Sequence, residues 1–310
     1  MNMIQHVLST LLQTIIPLSI PVIAGALLRY FIHLDTKPLT VLYLYFLSPA
    51  ILLETLLTAD ITWTDVYHTA GFSVLNLLLL WGAAQLIGRL LRLPAAERAG
   101  LTLVSTFTNS VNYGLPLVLL AFGKLGLDKA SVYVIGQMLI VNTVGVYFAA
   151  RSEFSVKNAV QSVFRLPAIY AAAFAILVRS LGMHLPEGVQ SGIAMAAGAY
   201  SPVVLAILGA QMISVGREKL ERGVKQAFWT GLVIRLVLSP WIAALVLLLL
   251  NVQGTLFPVL LVLASMPVAV NAVVLSEKFN ASPKLVSKCI LYTTLASFVV
   301  LPVLITLVHP

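Results

Sequence analysis

Between Leu236 and Ser276 the chain runs for 41 residues without a Lys, Arg, Asp or Glu. A bilayer's hydrocarbon core is crossed by about 20 mostly apolar residues in helical form, so this stretch reads as two crossings. The polar step Asn251-Val252-Gln253-Gly254 divides it, giving spans at Ala227–Leu250 and Thr255–Ser276. The same rule places further spans at Val7–Leu28, Pro38–Ala59, Val66–Gly88, Ala99–Gly123, Ala130–Ala150, Ser162–Met183, Gly188–Gly216 and Cys289–Val308. Ten membrane helices result. Only 10% of the residues are charged and 60% are hydrophobic, against about 25% charged in soluble domains. That surplus leaves no polar skin for a soluble enzyme, a nucleic-acid binder or a disordered scaffold.

The first span reads as retained rather than as a cleavable leader: no Lys or Arg precedes it, and it holds Pro17 and Pro21. Cytoplasmic loops carry the excess of Lys and Arg. The side sharing the N-terminus has Lys124, Lys129 and Arg179, whereas 15 Lys and Arg fall on the other side. Both termini are therefore expected outside a cell (plasma or inner) membrane. The net charge of +8 is then a topology signal and implies no nucleic-acid partner. Arg235, in the eighth span, is expected to snorkel toward the cytoplasmic surface.

Ten spans divide into five and five, and an odd number per half inverts one half against the other. Landmarks recur in order: Leu47-Ser48-Pro49-Ala50 with Tyr200-Ser201-Pro202-Val203, Trp81 with Trp241, Pro116 with Pro267, Arg29 with Arg179. Residues 1–150 and 162–310 are the expected repeats, joined by a short cytoplasmic linker, 151–161. In the fourth span, Asn109, Asn112, Gly114 and Pro116 make poor helix, and Ala264-Ser265-Met266-Pro267 through Asn271 in the ninth is a milder interruption. Inverted repeats with interrupted helices in matching positions point to a secondary transporter's midplane site. An ordinary proline kink, with asparagines bonding neighbouring helices, is the plainer alternative.

The chain resembles the auxin efflux carrier family, in its bacterial permease type. The resemblance rests on Thr108 through Leu117, Gln137 through Thr143, Ser201 through Gln211, and Met266 through Phe279 followed by Ser282-Pro283. It implies an all-α membrane protein: ten helices as two inverted five-helix repeats, with helices 4 and 9 broken and crossing at Pro116 and Pro267. It also implies a scaffold and a moving transport unit, elevator-type alternating access and a homodimer. By the same resemblance Asn109 lies near a substrate carboxylate and Asn142 faces the site. The linker of about eleven residues departs from the long loop of plant members and favours a bacterial dicarboxylate or other organic-acid carrier over auxin export.

At such a crossing the prolines would open the second half-helices, where a missing N–H costs nothing, and two helix N-termini would hold an anion without a buried lysine. Candidate substrate-binding residues are Asn109, Ser110, Asn112, Tyr113, Gly114, Pro116, Gln137, Asn142, Ser265, Pro267 and Asn271. Tyr113 either lines the cavity or faces lipid. Glu54 is a candidate for proton coupling or a wetted rim carboxylate. No Lys or Arg of helices 4, 5 or 9 lies near the crossing, so selectivity is expected to rest on dipoles and amides. Neither H-E-x-x-H nor G-x-S-x-G occurs, so the chain reads as no enzyme. No cofactor or metal is expected. The expected function is transport of a small organic anion across the bilayer. The rival readings are a sodium-coupled symporter of the bile-acid type and an anion channel.

Overall fold

The computed structural model describes residues 3–150, 161, 164–213 and 221–308. Among them the chain is helical almost throughout, with no strand and one isolated antiparallel bridge, Thr108 with Val268. In chain order the helices are α1 (Gln5–Ile32), α2 (Thr36–Thr58), α3 (Trp63–Leu90), α4 (Ala95–Thr106), α5 (Ser110–Ala149), α6 (Pro167–Ser180), α7 (Glu187–Ile213), α8 (Gly223–Leu249), α9 (Leu256–Ala264), α10 (Asn271–Lys278) and α11 (Pro283–Val308). Seven of them, α1, α2, α3, α5, α7, α8 and α11, are long and apolar enough to cross a membrane. The expected linker falls outside the described residues except for residue 161, and so do Arg151, Lys157, Arg217 and Lys219.

Helix α5 has 40 residues, twice what one crossing needs, and it is kinked into two arms at Gly123, whose φ of 65° and ψ of −160° belong to a region almost closed to side-chain-bearing residues. The expected fourth span is thus α4, a break at 107–109 and the first arm of α5. The expected ninth is α9, a break at 265–270 and α10.

The prolines act differently from expectation. Pro17, Pro49, Pro116 and Pro240 each follow a π-helical turn: Leu11–Ile15, Tyr43–Leu47, Ser110–Gly114 and Ile234–Leu238. In all four the residue before the proline donates its N–H to the carbonyl five residues back. A proline lacks that donor and its ring crowds the carbonyl four residues back. Widening the turn by one residue relieves both, and the helix continues. Pro116 therefore lies beyond the break, and only Pro267 lies within one.

Two sets of helices pack mainly among themselves and meet where α1 touches α11 and where α2 and α7 touch α5. Helix α1 lies on α7, and α2 on α6 and α7; α3, α4, α5, α8, α9, α10 and α11 form the other set. The α1–α7 contact is backbone to backbone. A Cβ on Gly25 would run into the Ala206 carbonyl oxygen, and one on Gly209 into that of Val22. Small residues permit this approach where lipid supplies no hydrophobic drive.

Candidate functional site

The two breaks pair with each other. Asn109 N–H donates to the Pro267 carbonyl at 2.8 Å, and Ala269 N–H to the Phe107 carbonyl at 3.0 Å. Each break ends one half-helix and opens another, so four helix ends gather at one buried point: the C-termini of α4 and α9 and the N-termini of α5 and α10. The crossing falls at residues 107–109 and 267–269 rather than at Pro116, because the π turn had already absorbed that proline.

Most expected site residues gather here, with differing duties. Asn109 is 3% exposed and its amide nitrogen has no hydrogen-bond partner; the Ser110 hydroxyl and the Asn112 amide oxygen are likewise buried and unpartnered. Buried polar groups are nearly always satisfied, so three orphans in four residues mark a place where a further polar group fits. Asn271 is exposed, at the opening of α10. Gly114 lets α5 lie against α9: a Cβ there would meet Leu263 at 2.7 Å. Tyr113 neither faces lipid nor lies open; it is 1% exposed, with its ring 6.5 Å from that of Phe298. Ser265 bonds back to the Leu261 carbonyl at 2.7 Å, one turn earlier in α9. Gln137 is buried beside the Tyr133 hydroxyl with its amide oxygen unpartnered. Asn142 stands in the π turn Val141–Gly145.

Three residues of the site were not among those expected. Tyr43, in the π turn of α2, turns its hydroxyl toward the side chains of Asn112 and Asn271. Tyr200 of α7, fully buried, donates to the Val111 carbonyl at 3.0 Å. Arg235 overturns its expectation. It does not snorkel; it is 0% exposed, and its guanidinium donates to the Ser105 carbonyl at 3.1 Å, to the Ala264 carbonyl and to the Ser239 hydroxyl. Helix α8 starts ahead of the expected residue 227 and runs to Leu249, which leaves Arg235 near mid-helix. A cation therefore does stand at the crossing, contributed by the eighth span. Pro240, five residues on, was no sufficient signal, because Pro21 and Pro302 lie inside helices without a π turn.

A cavity of about 760 Å³ lies between α2, α5 and α7, lined among others by Glu54, Thr55, Lys124, Asp128, Gln190 and Ser201. Glu54 thus shares a cavity wall with Lys124. The lining ends at Ser201, next to Tyr200. Beyond this cavity the segment joining α2 to α3 is held by charge. Lys129 pairs with Asp65 at 2.8 Å and donates to the Asp60 carbonyl at 2.7 Å, Asp128 accepts from Asp60 N–H at 2.9 Å, and Arg179 donates to the carbonyls of Leu56 and Ala59. Among the described residues no cluster of His, Cys, Asp or Glu is arranged to hold a metal ion.

The comparisons agree on one family. A family model described as membrane transport protein matches residues 6–163 and 154–305. An uncharacterized transporter of Methanothermobacter thermautotrophicus is 27% identical over 296 residues, which cover 94% of this chain and 96% of the relative. An uncharacterized transporter of Methanocaldococcus jannaschii is 27% identical over 225 residues, covering 70% of this chain and 71% of the relative.

Proposed function

The chain belongs to the membrane transport protein family, the auxin efflux carrier family of the resemblance above, and from that premise we propose that it is a secondary active transporter of a small organic anion. The anion's carboxylate is held at the paired breaks by the N-terminal N–H groups of α5 and α10 and by the amides of Asn109, Asn112 and Asn271. The observation that carries this reading is the buried, unpartnered Asn109 amide nitrogen at a helix N-terminus. A donor kept dry beside a positive dipole end is matched by an acceptor bearing negative charge.

The reading includes alternating access of the elevator type, which the packing of the helices into two sets supports. The set α1, α2, α6 and α7 serves as a fixed frame, dimerising with a second copy, and the other set carries the crossing past it. In this reading the cavity below Glu54 is the outer approach, and Tyr43 and Tyr200 separate it from the crossing. Ten spans in two inverted halves, both termini outside the cell membrane, complete the reading. It is supported by the matching positions of the two breaks, one in each half, and by the side-to-side bias in Lys and Arg.

The test uses the purified chain in liposomes, with Asn109→Ala and Asn271→Ala variants that insert normally. The reading expects each variant to lose at least tenfold in uptake of the transported carboxylate. Unimpaired uptake in both would remove the crossing as the binding site. Saturable uptake that is indifferent to sodium separates the carrier from a channel and from a sodium symporter.

A further inference from the structure

Arg235 is a cation buried at the centre of a membrane helix without a carboxylate partner; the ion pair found among the described residues is Lys129 with Asp65. Such a charge persists only where something of opposite sign compensates it. The compensation here comes from the backbone. In an unbroken helix the Ser105 carbonyl would accept from Asn109 N–H and the Ala264 carbonyl from Val268 N–H. Both donors are diverted, Asn109 N–H to Pro267 and Val268 N–H to the Thr293 hydroxyl at 3.1 Å. The two orphaned carbonyls, one from each broken helix, meet at the same guanidinium, and Ser239 adds a hydroxyl to the Ala264 carbonyl at 3.0 Å.

The charge balance of the crossing follows. A helix C-terminus carries roughly −0.5 elementary charge and an N-terminus roughly +0.5. Four ends meeting at one point, two of each kind, would sum to about zero and offer an anion little. Arg235 adds one positive charge at the C-terminal side and cancels the two negative ends. The two N-termini, α5 and α10, then stand uncompensated and together present about one positive charge. The arginine supplies this without touching the ligand, since its three hydrogen bonds and complete burial hold it behind the breaks.

We propose that Arg235 is the charge-setting residue of the site: a positioning residue that fixes the net charge of the crossing at about +1 and thereby matches it to one carboxylate. The inference rests on the transport reading above and names what selects the substrate within it. A fully bound carboxylate then leaves the crossing near neutral, while a neutral isostere leaves it charged.

The experiment measures acid against amide. Proteoliposomes of the full chain take up whichever labelled anion the wild type transports best among malate, malonate, succinate, lactate and indole-acetate. Uptake is competed with the same unlabelled acid and with its amide. Wild type is expected to prefer the acid at least thirtyfold. Arg235→Gln is expected to lower that preference tenfold or more, because the acid loses affinity while the amide does not. Arg235→Lys keeps the charge and is expected to hold the preference within threefold of wild type, with a lower maximal rate because an ammonium cannot hold both carbonyls in the guanidinium's planar geometry. A merely structural arginine would weaken acid and amide together, and an unchanged preference in Arg235→Gln, or a collapsed one in Arg235→Lys, overturns the inference while the transport reading stands. Failure of both variants to fold also overturns it, in favour of a structural staple. Absence of any anion uptake by the wild type overturns the transport reading itself.

Discussion

Replacing Lys129 with methionine tests the charged clasp between α2 and α3. The ammonium lies 2.8 Å from the Asp65 carboxylate, and the two side chains are 11% and 12% exposed. At that distance and an effective dielectric of about 20 the Coulomb attraction is about 6 kcal/mol. Much of it only offsets desolvation, and removing one partner from such a pair typically costs about 3–5 kcal/mol because the other charge is stranded. Asp65 would keep its contacts with Thr62, N–H at 2.7 Å and hydroxyl at 2.7 Å, so the lower half of that range is expected. Removing both charges, Lys129→Met with Asp65→Asn, strands nothing and should cost only about 1–2 kcal/mol, the loss of the Asp60 contact and of a charged helix cap. The assay is equilibrium unfolding in mixed micelles of wild type, both single variants and the double variant. A Lys129→Met variant within 1 kcal/mol of wild type, or a double variant as unstable as the sum of the singles, would show that no stranded charge is at work.

Three further outcomes are expected. Gly123→Ala meets no neighbouring atom, so its cost is backbone strain alone, about 1–3 kcal/mol, read as a lower melting temperature in detergent. Thr293→Val leaves the Val268 N–H without its acceptor and should destabilise by about 1–3 kcal/mol, while Thr293→Ser, which keeps the hydroxyl, stays near wild type in the same melt. Tyr43→Phe removes a hydroxyl facing Asn112 and Asn271 and should raise the KM for uptake about two- to tenfold, the equivalent of one ordinary hydrogen bond.

Much of the fold was legible because membrane spans are written in absences: a stretch without charge is visible residue by residue. The interruptions near Asn109 and Pro267 were legible for the same reason, as polar and helix-breaking residues at a depth that excludes them. What a proline does was not. Pro116 was expected to open a half-helix, and the chain absorbed it instead behind a π turn, whereas Pro21 and Pro302 sit inside helices without one. Arg235 was misread because a charge near the end of an apolar run looks like a boundary. Its partners are two carbonyls that become available only after two distant helices break, and no sequence window contains all three. Tyr43 and Tyr200 were hidden similarly, since aromatic residues in apolar spans are common and only the packing of α2 and α7 against α5 brings them to the asparagines.

Whether the paired breaks bind and carry a carboxylate is decided by counterflow uptake of labelled malate, malonate, succinate, lactate and indole-acetate by purified protein in liposomes. Saturable uptake of at least one of these is expected, independent of sodium and suppressed by excess of the same unlabelled acid. Uptake no greater than in protein-free liposomes for every anion would contradict it.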